Sequence, residues 1–385
     1  MSNKHIAINH QLLTWARERA GLELSALARR FPQLAEWEAG ESQPTLKQLE
    51  NFAHAVHVPI GYLFLPQPVQ ESLPIPDFRT LADRAVIRPS PNLLDMLYLC
   101  QQRQDWYRDY AHMTVLPVLD FIGSVTTKDA PETVAEAMRE KLHFSPAERQ
   151  QLPSWTEALR RFITKTEEAG VLVMASSIVG SNSHRKLDVG EFRGFALADP
   201  LAPLVFLNAA DSRAAQMFTL AHELAHLWLG QSGVSDTETG RLPKQALERW
   251  CNAVAAELLM PMRATREAHQ PDLPLPEEIQ RLARLFKVST LVALRRLFDA
   301  GFINEASLWQ NYSEEVARIS TLNRSGSGGG DFYRTLGIRT GKRFARAVLA
   351  STLEGQTLFR DAFRMLGVKK SATFYKAAHE LEVMS

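Results

Sequence analysis

Apolar positions in residues 9–65 recur at three- and four-residue spacing, which predicts a group of short helices. NHQLLTWARERAG and ELSALARRF supply the first two, divided at Gly21. Leu46, Leu49, Phe52, Ala53 and Val56 form one face of a further helix, entered at Pro44-Thr45 and stopped by Val58-Pro59. The prolines of PQPVQESLPIPDFRT, residues 66–80, then exclude helix and central strand and predict an extended tether running over a neighbouring domain. Helical periodicity returns from about 91 to 170, in NLLDMLYLCQQRQDWYRDYA and APETVAEAMREKLHF, before the period changes. Gly170-Val171-Leu172-Val173-Met174 and a run from Phe192 to Leu207 that ends in PLVFLN are rich in β-branched and aromatic residues, so they predict a small sheet. A helix over Gln216–Leu229 follows directly. Beyond it the pattern gives a polar loop, a helix from about Pro243 to Met260 stopped by Pro261, and the helical stretch EEIQRLARLFKVSTLVALRRLFDAG. Ser325-Gly326-Ser327-Gly328-Gly329-Gly330 reads as a flexible linker or mobile loop, ahead of a helical tail.

These elements predict an α+β protein, mostly helical, in five segments: 1–68, 69–165, 166–265, 266–324 and 331–385. At 385 residues the chain can bury two or three cores. Composition changes this picture in three ways. With 44 Lys and Arg against 43 Asp and Glu, the net charge of +1 excludes a protein that coats polyanions, so any nucleic-acid contact has to come from a local patch. Two cysteines, Cys100 and Cys251, offer neither a disulfide framework nor a thiolate metal site and suit a reducing compartment. MSNKHIAINHQLL has no signal-type apolar core, and no later stretch approaches the ~20 apolar residues of a membrane span. A cytoplasmic protein without membrane partners is the expectation.

The candidate chemistry lies in His222-Glu223-Leu224-Ala225-His226. Residues four apart share a helix face, so His222 and His226 can aim ring nitrogens at one zinc ion while Glu223 is directed to the water beside it. Zinc lowers the pKa of a bound water toward ~7 and polarises a carbonyl; a neighbouring carboxylate can then take the proton and pass it to a leaving nitrogen. A third ligand is needed, and Glu248 and Glu257 compete for the position. Nine residues apart, they point to opposite sides of one helix. Glu248 shares its face with Asn252, Ala255 and Ala256, small or hydrogen-bonding residues that allow close approach to the motif helix, so Glu248 is the predicted ligand and Asn252 a candidate partner that orients one. His184, Arg193 and Tyr312 are candidates for stabilising an oxyanion, with no positional argument for any of them.

FTLAHELAHLWLG followed by LERWCNAVAAELLMP resembles the ImmA/IrrE family of metallopeptidases, over roughly residues 165–300. Cys251 stands where the family has alanine and Val254 where it has phenylalanine; both are apolar changes that leave the proposed ligands in place. The resemblance implies a small sheet backing two zinc-site helices and an activity directed at a protein, in characterised cases a repressor. Residues 9–65 resemble an Xre-type repressor domain, chiefly in WEAGESQPTLKQLENFAHAV. Between Leu27-Ala28 and Trp37-Glu38, however, lie only eight residues, Arg29 to Glu36, where that family has about twelve, and Pro32 takes part of the space. Such a unit lacks the first turn of a recognition helix and suits protein docking better than base reading. A second helix-turn-helix candidate spans 278–299, with Ser289 as cap and Arg295 and Arg296 as possible phosphate contacts; the basic tail, 331–385, is another. The predicted function is therefore a zinc metallo-endopeptidase acting on a regulatory protein. The alternative is an antitoxin or regulator that binds a cognate toxin, or less readily operator DNA, and keeps the zinc fold as scaffold. The presence of Glu223 favours retained chemistry, because a scaffold needs no general base.

Overall fold

Every residue of the three longer strands is buried, which explains why the sequence in this part of the chain is apolar without alternation. The computed structural model describes residues 5–69, 71–78, 89–235, 245–322 and 332–384. The glycine-rich run 325–330 and the expected helix start at Pro243 lie outside the described residues. The chain divides into two compact units, one made of the described residues up to Pro74 together with 89–97, the other of Ile75–Phe78 and the described residues from Tyr98 onward.

In the first unit the helices are His10–Arg19, Leu24–Ala28, Leu34–Ala39 and Leu46–Ala55, followed by a 3-10 turn at Ile60–Phe64. Asn9 caps the first helix by accepting from the Gln11 amide at 3.0 Å, and Thr45 with Gln48 forms a capping box on the fourth. Leu12, Leu13, Leu34, Leu49 and Phe52 are fully buried or nearly so, and Phe31 meets Phe52 edge-on at 5.7 Å. The shortened middle of the sequence gives a second helix of five residues and a third of six, the latter ended by Gly40 at φ 76°. Trp37 of that third helix points into the core, and Glu38 pairs with Arg17 at 2.7 Å.

The second unit is built on a four-stranded sheet of order β1-β3-β2-β4, from β1 (Leu172–Ser176), β2 (Gly194–Leu197), β3 (Leu204–Asn208) and β4 (Gly233–Ser235). β1 runs parallel to β3, whereas β2 is antiparallel to both β3 and β4. The sequence pattern placed one run across Phe192–Leu207; the chain instead turns at 198–203 and forms two paired strands. β4 was not anticipated, since three residues in a polar stretch carry too short a period to register. The helix Arg213–Trp228, capped by Ser212 at 3.2 Å from the Ala215 amide, packs on β2 and β3. Helix Ala246–Leu259 lies against it, and helices Pro131–Leu142 and Trp155–Glu168 complete that layer.

Helices Phe332–Thr340, Lys342–Leu353, Phe359–Leu366 and Ser371–Glu380 make up the tail, and the first two pack on β1. The buried Arg103 donates to the Met365 carbonyl at 2.9 Å, and the Arg343 amide donates to Glu167 Oε1 at 3.0 Å. The tail is thus a layer of this unit, joined by interactions between residues far apart in sequence. Helices Leu275–Phe286 and Thr290–Asp299 form the expected hairpin, with Lys287 at φ 54° and the Ser289 hydroxyl accepting from the Val292 amide at 3.2 Å. One expectation for this hairpin fails: Arg296 is buried, donates to the Met260 carbonyl at 2.8 Å and forms an ion pair with Glu257, so it cannot meet a phosphate. Its neighbour Arg295 pairs with Asp299 at 3.0 Å. No described helix is long and apolar enough to cross a membrane.

Candidate metal centre

His222 and His226 lie on the helix Arg213–Trp228, one turn apart and fully buried, with their Nε2 atoms 3.1 Å from each other. Glu248 comes from the first turn of the next helix, Ala246–Leu259, and sets its carboxylate between them: Oε2 is 3.2 Å from His222 Nε2 and Oε1 is 3.0 Å from His226 Nε2. The ligand-type atoms of these three side chains lie within 4.8 Å of one another, the one such group among the described residues. Asn252, one turn beyond Glu248, meets His222 Nδ1 at 2.9 Å. With Nδ1 as the donor to the Asn252 carbonyl oxygen, the Nε2 lone pair of His222 faces the cluster.

Electrostatics follow from burial and from these contacts. Burial alone raises the pKa of the Glu248 carboxyl, but the charge and hydrogen bonds of His222 and His226 overcome it and bring the group down to about 2. His222 is opposed by burial and nevertheless rises, because Glu248 favours its charged form. Burial dominates at His226, which is lowered. Glu223 is pushed up to about 8 by burial, against the pull of His222. Both its carboxylate oxygens are buried without a well-aligned hydrogen-bond partner among the described residues. A buried carboxyl left in that state costs free energy unless something polar is brought to it.

Glu257, the rejected alternative, faces elsewhere. It accepts from the Met262 amide at 3.1 and 3.2 Å and pairs with Arg296. Of the oxyanion candidates, Arg193 is held by Asp211 at 2.5 Å, His184 is exposed in the 181–186 loop, and Tyr312 packs against the apolar core from helix Glu305–Leu322. Three further residues border the centre that sequence reasoning did not single out. The Ser235 hydroxyl on β4 is 3.3 Å from His226 Nε2, and the ring of Phe78 stacks on His226 with centroids 5.4 Å apart and planes at 9°. At Gly194 on β2 a Cβ would come within 2.6 Å of Thr219 Cγ2 and 3.2 Å of Glu223 Oε1, so glycine allows the motif helix to sit against the sheet. No spacing rule flags these positions, because each reaches the site through strand pairing.

Two histidines one turn apart, an acid from a second helix and a buried glutamate beside them, all backed by a small mixed sheet, define a metallopeptidase-type core. Residues 166–298 match the family model described as an IrrE N-terminal-like domain, so this part of the chain is similar to the ImmA/IrrE metallopeptidases. Residues 340–380 match a domain of unknown function. Over 106 residues the chain is 34% identical to the radiation response metalloprotease IrrE of Deinococcus radiodurans and 35% identical to the protein of that name from Deinococcus deserti. Each alignment takes in 26% of this chain, and the chain covers only 32% and 38% of the lengths of these relatives.

Proposed function

We propose that this protein is a zinc-dependent endopeptidase that hydrolyses a peptide bond in a protein partner. The observation that carries the reading is the convergence of His222, His226 and Glu248 on one buried point with the buried carboxyl of Glu223 next to it. Two imidazole nitrogens and one carboxylate are the donor set of a catalytic zinc site, and the lowered pKa of Glu248 keeps its carboxylate ionised for that role. Zinc in that position supplies a Lewis acid that polarises a carbonyl and makes water nucleophilic near neutral pH. The rest falls to this chain. Asn252 fixes the ring of His222, and Glu248 holds both imidazoles in register from the neighbouring helix. Glu223 accepts the water's proton on its carboxylate and returns it to the departing amine nitrogen. Its burial strengthens the proton's hold, which suits a group that must both take and give.

Support for a protein substrate comes from the matched family and from the metalloprotease names of the two relatives. The test is a pair of measurements on the full chain: zinc content, expected near one per chain, and cleavage of protein substrates by the wild type and Glu223→Gln. The variant is expected to keep its zinc and lose all cleavage. Cleavage retained by Glu223→Gln would refute the assignment of the base.

A further inference from the structure

The proline-rich segment pairs with the sheet through an isolated β-bridge. The Phe78 amide donates to the Val234 carbonyl at 2.9 Å, the Val234 amide donates to the Pro76 carbonyl at 3.0 Å, and Asp77 sits opposite Val234 in parallel register. Residues 76–78 therefore form an isolated parallel bridge to β4, at the edge of the four-stranded sheet nearest the metal centre. The addition is specific. At Gly233 a Cβ would overlap the ring of Phe78, so the absence of a side chain there makes room for it, and the ring lies flat on the imidazole of His226. It is also slight: it rests on two backbone hydrogen bonds, Pro76 and Asp77 are exposed, and Ile75 and Phe78 are only partly buried. Strand addition of this kind is how extended peptides dock on a free sheet edge, with the main chain giving affinity and alternate side chains giving specificity.

We propose that the β4 edge is the peptide-binding site of this protein and that Pro76–Phe78 is its internal, displaceable occupant. The site takes an extended segment whose backbone pairs with Val234 and whose aromatic side chain enters the place of Phe78 against His226. The proposal rests on the peptidase reading above for what then happens to the bound segment. A tethered occupant competes at an effective concentration in the millimolar range for short tethers, so a peptide added in solution meets a mostly closed edge. Its apparent affinity is reduced by the fraction of molecules that are open.

The test uses the full chain carrying Glu223→Gln, so that no probe is consumed, and a fluorescein-labelled peptide SLPIPDFRT, this chain's own residues 72–80. Fluorescence anisotropy is expected to show binding to the added variant Phe78→Ala at least tenfold tighter than to the chain with Phe78, and a peptide with alanine for phenylalanine is expected to lose that binding. Hydrogen exchange supplies a second reading. The Val234 amide has Pro76 as its acceptor, so Phe78→Ala is expected to speed its exchange at least tenfold while amides of β3 are unchanged. Should Phe78→Ala fail to fold, the chain with Phe78 decides: the Phe78 and Val234 amides are expected to exchange at least a hundredfold faster than those of β3, and excess peptide to speed the Phe78 amide further. Equal, weak peptide binding by both chains with unchanged exchange at Val234, or protection at Phe78 as high as in β3, would overturn the proposal. Cleavage by the chain with Glu223 intact is scored separately. Its absence alongside Phe78-dependent peptide binding would sink the peptidase reading and leave the occupied edge standing, whereas Glu223-dependent cleavage without any effect of Phe78→Ala on binding or exchange would sink the edge proposal alone.

Discussion

Glu248 and Glu257 stand on the same helix with opposite duties, and exchanging each for glutamine separates them. The Glu257 side chain is 9% exposed and its partner Arg296 7% exposed. Glu257→Gln keeps an acceptor for the Met262 amide but leaves the Arg296 guanidinium buried without a counter-charge. Breaking such a buried pair costs about 3–5 kcal/mol. For a unit of this size each kcal/mol moves the melting temperature by about 2–3 °C, so the expected loss is roughly 6–15 °C. Zinc stoichiometry should stay at the wild-type value. The double variant Glu257→Gln/Arg296→Met should recover most of the lost stability, because it removes the stranded charge along with its partner. Glu248→Gln is expected to behave in the opposite way: it removes a carboxylate that faces two imidazole nitrogens, so zinc affinity should fall by more than the roughly 10–100-fold typical of an outer-shell partner. Calorimetric melting of the metal-free proteins and metal analysis after dialysis against trace zinc give both readouts. A Glu257→Gln protein that loses its zinc while Glu248→Gln retains a full complement would refute the assignment of ligands by helix face. A Glu257→Gln melting temperature within 1 °C or so of wild type would refute the buried pair.

Three further outcomes are expected. Asn252→Ala should weaken zinc binding by about 10–100-fold with little change in fold, read by competition with a chromophoric chelator, since the Nδ1 contact that orients His222 is lost. Gly194→Ala should cost about 1–3 kcal/mol in urea unfolding, because the new methyl group meets Thr219 and the Phe206 carbonyl at 2.6 and 2.9 Å; a neutral result would show that the motif helix can withdraw from the sheet. Glu167, buried beside the tail, is raised from 4.5 to about 7 mainly by burial, partly offset by its bond from the Arg343 amide. Its protonated form is the one the fold prefers, so its contribution is complete below pH 4.5 and is lost as pH rises through about 7; the whole effect is about 3 kcal/mol. Glu167→Gln should therefore flatten the stability profile between pH 5 and 8, and parallel profiles for the two proteins would rule the effect out.

How much of this was legible beforehand depends on the range of the interactions involved. Helix periodicity over one or two turns put His222, Glu223 and His226 on one helix and separated Glu248 from Glu257 by face, because the 100° step of an α-helix is a local property that needs no knowledge of neighbours. The same local rules gave the capping of the helix at Ser289 and the hairpin on either side of it. Tertiary structure decided what those residues meet. That Arg296 is spent on Glu257 and not free for phosphate could not be known from a basic pair on an amphipathic helix, since burial is fixed by what packs over it. The splitting of Phe192–Leu207 into two strands, the three residues of β4, and the docking of the tail through Arg103 and Glu167 all depend on contacts between distant parts of the chain. So does the pairing of the proline-rich segment. Its residues carry no period, and only the edge of β4, the bare Cα of Gly233 and the ring of His226 give Pro76–Phe78 its bridge to the sheet.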